Sequence, residues 1–207
     1  MTDRPVFRGG SEGRRDRAAV ALRDNVTPFQ KWGSRMFTLG RLQRSYEHVW
    51  YLTQSRNDNR RAEFLAALSE AARTHRTVDV FLLAHTNSFV EWVEDLPSDQ
   101  RTRLRLVYNT GCWNVEQGPH WLELGAETYV GHPGASASPV FYYFMLRRWT
   151  AGETLAQTVA DSWQKTRSVL TRTAPFYESL RSLDELLAET EPHCSGGTSL
   201  SIGDTRQ

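Results

Sequence analysis

The segments VDVFLLAH, residues 78 to 85, and LRLVYNTGC, residues 104 to 112, decide the fold. The first is an apolar run broken only by Asp79, and such continuous runs are typical of strands covered on both faces. The second begins with another short apolar strand pattern, over residues 104–108. Residues 86–103 between them are long enough for the crossover that parallel pairing requires. The two segments are therefore predicted to be parallel neighbours in one sheet.

The same alternation of strand and helix extends outward on both sides of these segments. Strand patterns occupy residues 47–53, 78–84, 104–108 and 127–131, and helix patterns occupy residues 60–75, 89–96, 119–124, 139–149 and 154–170. Four such alternations predict an α/β fold, a three-layer sandwich with a mostly parallel sheet and helices on both faces.

Four regions are predicted along the chain. Residues 1–17, rich in Gly and Arg, form a disordered basic leader; residues 18–44 form a helical N-terminal extension; residues 45–190 form the α/β domain; and residues 191–207 form a flexible tail. The helical interpretation of residues 18–44 depends on irregularly recurring apolar residues interrupted near Pro28 and Gly33.

Length and composition exclude several classes of protein. The chain has 207 residues, 39% hydrophobic and 24% charged, which is typical of a globular domain able to bury a core. The longest apolar run, residues 140–146, is too short to cross a membrane, and no apolar signal-peptide stretch follows Met1. These features predict a cytoplasmic protein, which we expect to be bacterial, with no membrane partner.

Charge is distributed unevenly along the chain. Residues 1–61 carry 13 basic and 6 acidic side chains, whereas residues 62–207 carry 12 basic and 18 acidic ones. A basic arm of this kind can bind nucleic acid or an acidic partner, or dock on the acidic remainder of its own chain. Because no nucleic-acid-binding motif accompanies it, docking within the chain is favoured and no nucleic-acid partner is expected.

A thiol and an imidazole follow the two central strands. His85 comes directly after the run 78–84, and Cys112 follows the next strand through Asn109, Thr110 and Gly111. Ligands in open parallel sheets bind beyond the carboxyl ends of the strands. An imidazole near a thiol lowers its pKa or takes its proton, which is the chemistry of a Cys-His dyad. Gly111 is expected to let the chain turn sharply and expose the sulfur.

Three segments resemble the core blocks of the caspase-like cysteine peptidases, especially the CHAT and separase branch: VDVFLLAHTNS (78–88), LRLVYNTGCWN (104–114) and LELGAETYVGHPG (122–134). The resemblance covers residues 45 to 170. It implies a caspase-like fold with His85 as general base and Cys112 as nucleophile, acting on a protein or peptide substrate without cofactor or metal. An oxyanion site or cleft is expected near Thr86, Gly111 and His132, because Thr86 holds the family's oxyanion-donor position and His132 begins the loop after the fourth strand pattern. The resemblance also admits a regulatory protein partner.

Two departures from the family pattern leave an alternative open. Thr86 stands where the family usually has Gly, and Trp113-Asn114 replace the usual small or acidic residues after the Cys. A catalytically inactive interaction module, with the basic arm as its partner surface, is therefore the second interpretation. A zinc site from His85, Cys112, His120 and His132 is a weaker one, because these residues lack the close spacing of ligand pairs. Serine-hydrolase, phosphate-loop, dinucleotide-binding and HExxH motifs are absent from the sequence.

Overall fold

The computed structural model of the chain describes residues 16–24, 35–54, 59–84, 88–135, 137–173 and 182–204. Their strands form one six-stranded sheet in the order β2-β1-β3-β4-β5-β6. Strands β1 to β5 are parallel, and β6 runs antiparallel to β5. The strands are β1 (Arg17–Arg23), β2 (His48–Thr53), β3 (Thr77–Leu83), β4 (Leu104–Asn109), β5 (Thr128–Gly131) and β6 (His193–Gly196).

Helices connect the strands. In the described ranges they are α1 (Gly40–Ser45), α2 (Arg61–Thr74), α3 (Phe89–Val93), α4 (Ser98–Arg101), α5 (Gly118–Glu123), α6 (Ser138–Trp149), α7 (Leu155–Thr173) and α8 (Leu183–Thr190). A π-helical turn, Arg35–Leu39, leads into α1, and a 3-10 turn, Val115–Gln117, leads into α5.

Helices cover both faces of the sheet. On one face, α2, α3 and α5 bury Phe64, Phe89 and Trp121 against the strands. On the other face, α1 and α6 contribute Leu42 and Trp149 to a second core that includes the start of α7. The predicted α/β three-layer sandwich with a mostly parallel sheet is therefore confirmed.

The two central strands are buried along their whole length. Every residue of β3 and β4 is buried, as the continuous apolar runs predicted. The pairing of β3 and β4 shifts between Val78 and Val80, where Val78 lies opposite Leu104 and Val80 lies opposite Val107. Strand β4 thus carries one extra residue at a bulge, and bulges redirect side chains.

A buried ion pair lies at this bulge. The Arg105 guanidinium donates to both carboxylate oxygens of Asp79, at 2.9 Å and 2.7 Å, and neither residue is more than 1% exposed. Tyr46 donates its hydroxyl to Asp79 Oδ2 at 2.5 Å, and the Trp149 indole N–H donates to the Tyr46 oxygen at 2.8 Å. Arg105 also donates to the carbonyl oxygens of the turn over residues 201–204. The network joins the centre of the sheet to the C-terminal segment.

The prediction of a helical extension over residues 18–44 is wrong for its first part. Residues 18–23 belong to β1, which pairs with both β2 and β3 and is thus interior to the sheet. Alanine favours helices, but Ala18, Ala19 and Ala21 are completely buried between two layers of helices. Tertiary packing therefore overrides local propensity. Within the described part of this extension, the helical expectation is confirmed for residues 35–44.

The prediction of a flexible tail is also wrong over its described part, residues 191–204. Strand β6 hydrogen-bonds to β5 within residues 193–196, and Leu200 and Ile202 are buried in the second core. With β1 before residue 45 and β6 after residue 190, the sheet extends beyond both predicted domain boundaries. The disorder predicted for the leader concerns residues that, up to Arg15, lie outside the described ranges.

No helix in the described part of the chain is both long and apolar enough to cross a membrane.

Candidate functional site

The carboxyl ends of β3 and β4 lie side by side. Leu82 is the registered partner of Asn109, and the backbone N–H of Thr110 donates to the Leu82 carbonyl at 2.9 Å. The Thr110 hydroxyl donates to the same carbonyl at 3.1 Å. The chain that leads to Cys112 therefore starts in direct contact with the strand that leads to His85.

His85 and Thr86 lie outside the described residues. The last described residue before them, Ala84, is buried at the end of β3. The structure thus confirms that the two strands are parallel neighbours, and the approach of the His85 ring to the Cys112 sulfur stays a prediction.

Two asparagines brace the loop that carries Cys112, over residues 110–114. The Gly111 N–H donates to Asn109 Oδ1 at 2.8 Å. Asn114 Nδ2 donates to the carbonyls of Gly111 and Asn109, at 2.8 Å and 3.2 Å, while its Oδ1 accepts from the His132 N–H at 2.8 Å. Both asparagines are fully buried. Cys112, which is half-buried, therefore sits on a loop fixed from beneath by side-chain amides.

Trp113 is the conformationally unusual residue of this loop. Its φ of 49° lies in the left-handed region, which bulky side chains seldom adopt, whereas the sequence suggested Gly111 for the sharp turn. Its side chain is 64% exposed, the largest value among the exposed large apolar side chains of the described residues. The Trp113 N–H donates to the Gly134 carbonyl at 3.3 Å. The turn therefore presents an indole ring to solvent directly after Cys112.

The sequence predicts that His132 lines a substrate cleft, but the structure buries its side chain. It is fully buried, with Nδ1–H donating to the Thr190 carbonyl at 2.8 Å and Nε2 accepting from the Tyr108 hydroxyl at 3.0 Å. Burial lowers the pKa of His132 to about 4. Its contribution to the site is structural, because its backbone N–H and carbonyl both bind Asn114.

The neutral, buried state of His132 predicts a pH-dependent stability. An unfolded imidazole takes up a proton near pH 6.5, whereas folded His132 does so only near pH 4. Protons therefore favour the unfolded chain between these values, and the free energy of unfolding should fall by roughly 3 kcal/mol as the pH drops through this window. Urea unfolding at several pH values measures this slope. The His132→Gln variant, which lacks the titrating ring, should be less stable at pH 7 but show a shallower slope, and an unchanged slope would contradict the assignment.

Helix α6 begins against the same loop. The Ser138 hydroxyl, at the first residue of α6, donates to the Thr110 carbonyl at 2.6 Å. Thr190, at the end of α8, accepts from the Ala137 N–H through its hydroxyl. Sequence reasoning missed Asn109, Asn114, Ser138 and Thr190. The asparagines flank the Gly-Cys pair in the stretch NTGCWN, a signal that would have found them, whereas nothing local marks Thr190.

The two cysteines have different environments and are not joined in a disulfide. Cys194 lies on β6 opposite Val130, and burial raises the pKa of its thiol to about 11. A thiol with so high a pKa reacts slowly near neutral pH, because the thiolate is the nucleophile. Cys194 therefore serves as an internal control for the reactivity of Cys112.

The described residues do not assemble the zinc set suggested by the sequence. Both ring nitrogens of His132 are hydrogen-bonded, and His120 pairs with Glu94 at 2.9 Å. Within the described ranges, the grouping of three or more ligand side chains is that of Glu47, His48 and His75. It lies at the amino end of β2, which is the opposite end of the parallel strands from Cys112.

Comparisons of the chain with protein-family models, with curated proteins and with solved structures give no match. The resemblance to caspase-like peptidases therefore rests on the sequence blocks alone.

Proposed function

We propose that this chain is a caspase-like cysteine endopeptidase of the CHAT and separase type, with Cys112 as nucleophile and His85 as general base. The observation that carries the proposal is the pairing of β3 with β4, in which Leu82 lies opposite Asn109. His85 and Cys112 each stand three residues beyond that registered pair. Neighbouring strands are about 4.8 Å apart, so chains leaving two such strands at equal offsets start within side-chain reach of one another.

The proposed reaction is acyl transfer through the sulfur. The His85 ring takes the Cys112 thiol proton, and the thiolate bonds to the carbonyl carbon of the substrate peptide. Backbone N–H groups of Cys112 and Thr86 donate hydrogen bonds that stabilise the oxyanion. The C–N bond then breaks as protonated His85 gives its proton to the leaving amine. Water, deprotonated by His85, hydrolyses the thioester, releases the acid and restores the thiol.

The bracing of the Cys112 loop supports this role. A nucleophile contributes most when its position is fixed before substrate binds, and buried Asn109 and Asn114 fix the backbone on both sides of Cys112. The exposed ring of Trp113, the residue that follows Cys112, offers an apolar surface that a peptide side chain can contact. Half-burial of Cys112 leaves part of its surface open to a substrate.

Labelling with a thiol-directed peptidyl acyloxymethyl ketone tests the dyad. The wild-type chain and the Cys194→Ala control should be labelled at the same rate, and Cys112→Ala should not be labelled. His85→Ala should be labelled about a hundredfold more slowly, because it lacks the base that activates the thiol. Circular dichroism of each variant checks that the fold is retained.

Labelling of Cys112→Ala at the wild-type rate would reject Cys112 as the nucleophile. Labelling of His85→Ala at the wild-type rate would reject the dyad even if Cys112 reacts. Turnover is measured separately with a peptide library, because labelling alone does not prove hydrolysis.

A catalytically inactive interaction module is the second candidate. Thr86 in place of the family's Gly favours it, and so does the exposed Trp113, since exposed aromatic rings are typical of binding surfaces. It predicts no cleavage of any peptide in the library and a reaction rate of Cys112 that does not depend on His85.

A further inference from the structure

A group of three metal-binding side chains lies at the end of the molecule opposite Cys112. Glu47 immediately precedes β2, His48 is the first residue of β2, and His75 follows the last residue of α2. One ligand atom from each lies within 4.8 Å of the other two. His48 Nδ1 is 2.6 Å from His75 Nε2, and His75 Nε2 is 3.9 Å from Glu47 Oε2.

The hydrogen bonds of His75 fix which of its nitrogens faces the group. Nδ1 lies 2.9 Å from the Thr74 hydroxyl oxygen, whose own proton goes to the Glu70 carbonyl at 2.7 Å, and 3.2 Å from the Ala71 carbonyl oxygen. Both neighbours of Nδ1 therefore accept, so Nδ1 carries the proton. Nε2 therefore holds the lone pair and points it at His48 and Glu47. Metal-bound histidines are typically oriented in this way, with the second ring nitrogen donating to a backbone carbonyl or a carboxylate.

The three side chains differ in their exposure to solvent and share an aromatic neighbour. His75 is 6% exposed, whereas His48 and Glu47 are half-buried and open towards solvent. The buried ring of Trp50 lies against both imidazoles, with centroid distances of 5.9 Å to His48 and 6.1 Å to His75. The group is thus buried at His75 and flanked by the apolar ring of Trp50. Solvent, and therefore an ion, can reach it at Glu47 and His48.

We propose that Glu47, His48 and His75 bind a divalent transition metal ion, with Zn²⁺ as the ion that the donor set fits best. Two imidazoles and one carboxylate suit Zn²⁺, which takes tetrahedral nitrogen and oxygen ligands and leaves a fourth position to water. With Zn–N bonds of about 2.0–2.1 Å, two nitrogens on a tetrahedral ion stand about 3.3 Å apart. The two ring nitrogens must therefore separate by about 0.7 Å from 2.6 Å, and Glu47 Oε2 must approach His75 Nε2 from 3.9 Å, movements that rotation of the half-buried His48 and Glu47 side chains can supply.

The bound ion would link three parts of the fold. Glu47 Oε2 accepts from the Asp16 N–H at 3.0 Å, just before β1, while His48 begins β2 and His75 lies between α2 and β3. A metal that holds all three side chains fixes the amino ends of the strands on one side of the sheet. The proposal is independent of the Cys-His dyad, because the two sites share no residue.

Calorimetric titration of the chelator-treated full chain with Zn²⁺ tests the site. Because thiols also bind zinc, the background is the Cys112→Ser/Cys194→Ser chain. We expect a single site of micromolar affinity or tighter, and a melting temperature that rises with Zn²⁺ concentration. Glu47→Gln and His48→Ala, both at half-buried positions that the fold should tolerate, should each weaken Zn²⁺ binding by at least about tenfold.

His120→Ala is the matched control. His120 is also partly exposed and carboxylate-paired, with Glu94, but lies outside the group, so its loss should leave Zn²⁺ affinity unchanged. Two results would overturn the proposal: a melting temperature that does not rise with Zn²⁺, or equal Zn²⁺ affinity in the Cys112→Ser/Cys194→Ser chain and in its Glu47→Gln and His48→Ala variants. In that case the imidazoles form only a hydrogen bond, with His48 donating to His75.

Discussion

Replacement of Asp79 by alanine is expected to lower the free energy of unfolding by about 3 to 5 kcal/mol, the cost of leaving one partner of a buried ion pair without the other. Arg105 is 1% exposed and would keep its charge with both carboxylate contacts removed. The Tyr46 hydroxyl would lose its acceptor as well. Urea unfolding followed by circular dichroism gives the change.

The double variant Asp79→Leu/Arg105→Met separates charge from shape. Apolar residues of similar volume often replace a buried ion pair with little loss, so the double variant should recover at least half of the stability lost by Asp79→Ala. A double variant no more stable than Asp79→Ala would show that the hydrogen bonds of Arg105 to the turn over residues 201–204, rather than the charge pair, carry the stabilisation.

Asn114→Asp is the second substitution from which we expect a large loss of stability. The Asn114 amide donates to the carbonyls of Gly111 and Asn109, and a carboxylate in the same place would face those oxygens with no proton to give. Both carbonyls would lose this donor, and the buried charge would keep only the His132 N–H, so we expect the free energy of unfolding to fall by about 2 to 4 kcal/mol. The labelling rate of Cys112 should fall as well, since the loop that positions the sulfur loosens.

Asn59→Asp is the control for that exchange. Asn59 is exposed and accepts from the Arg61 N–H at 2.8 Å through its side-chain oxygen, an acceptor that aspartate retains. The free energy of unfolding of the Asn59→Asp variant should stay within about 0.5 kcal/mol of the wild-type value. If Asn114→Asp were as mild as this control, the amide would not be the brace of the Cys112 loop.

The central strands could be predicted from the sequence, and the strands at two other places could not. β3 and β4 are long apolar runs, and burial on both faces leaves that signature. β1 is as deeply buried, but its alanines match a helix equally well, and only its place between β2 and β3 decides the matter. β6, with the sequence HCSG, has no apolar pattern at all. It becomes a strand because β5 offers an unpaired edge.

In the candidate site, too, one feature could be predicted from local sequence and another could not. The position of Cys112 beyond β4 follows from the length of an apolar run, which is local information. The burial of His132 follows from contacts with Tyr108 and Thr190, and the latter lies 58 residues along the chain. A histidine after a strand end matches a cleft residue or a core residue equally well by sequence. The elements packed on it decide between the two.

The contacts of Arg105 with the turn over residues 201–204 determine when, during synthesis, this buried side chain can complete its hydrogen bonds. The carbonyl acceptors at Ser201 and Ile202 lie 96 and 97 residues after Arg105 in the chain. A nascent chain held at the ribosome, with residues 201–204 still in the exit tunnel, has the central strands but lacks these acceptors. The Arg105 guanidinium can therefore acquire these acceptors only after synthesis has passed this turn, so a segment made after the central strands completes the hydrogen bonds of a charge at the centre of the sheet.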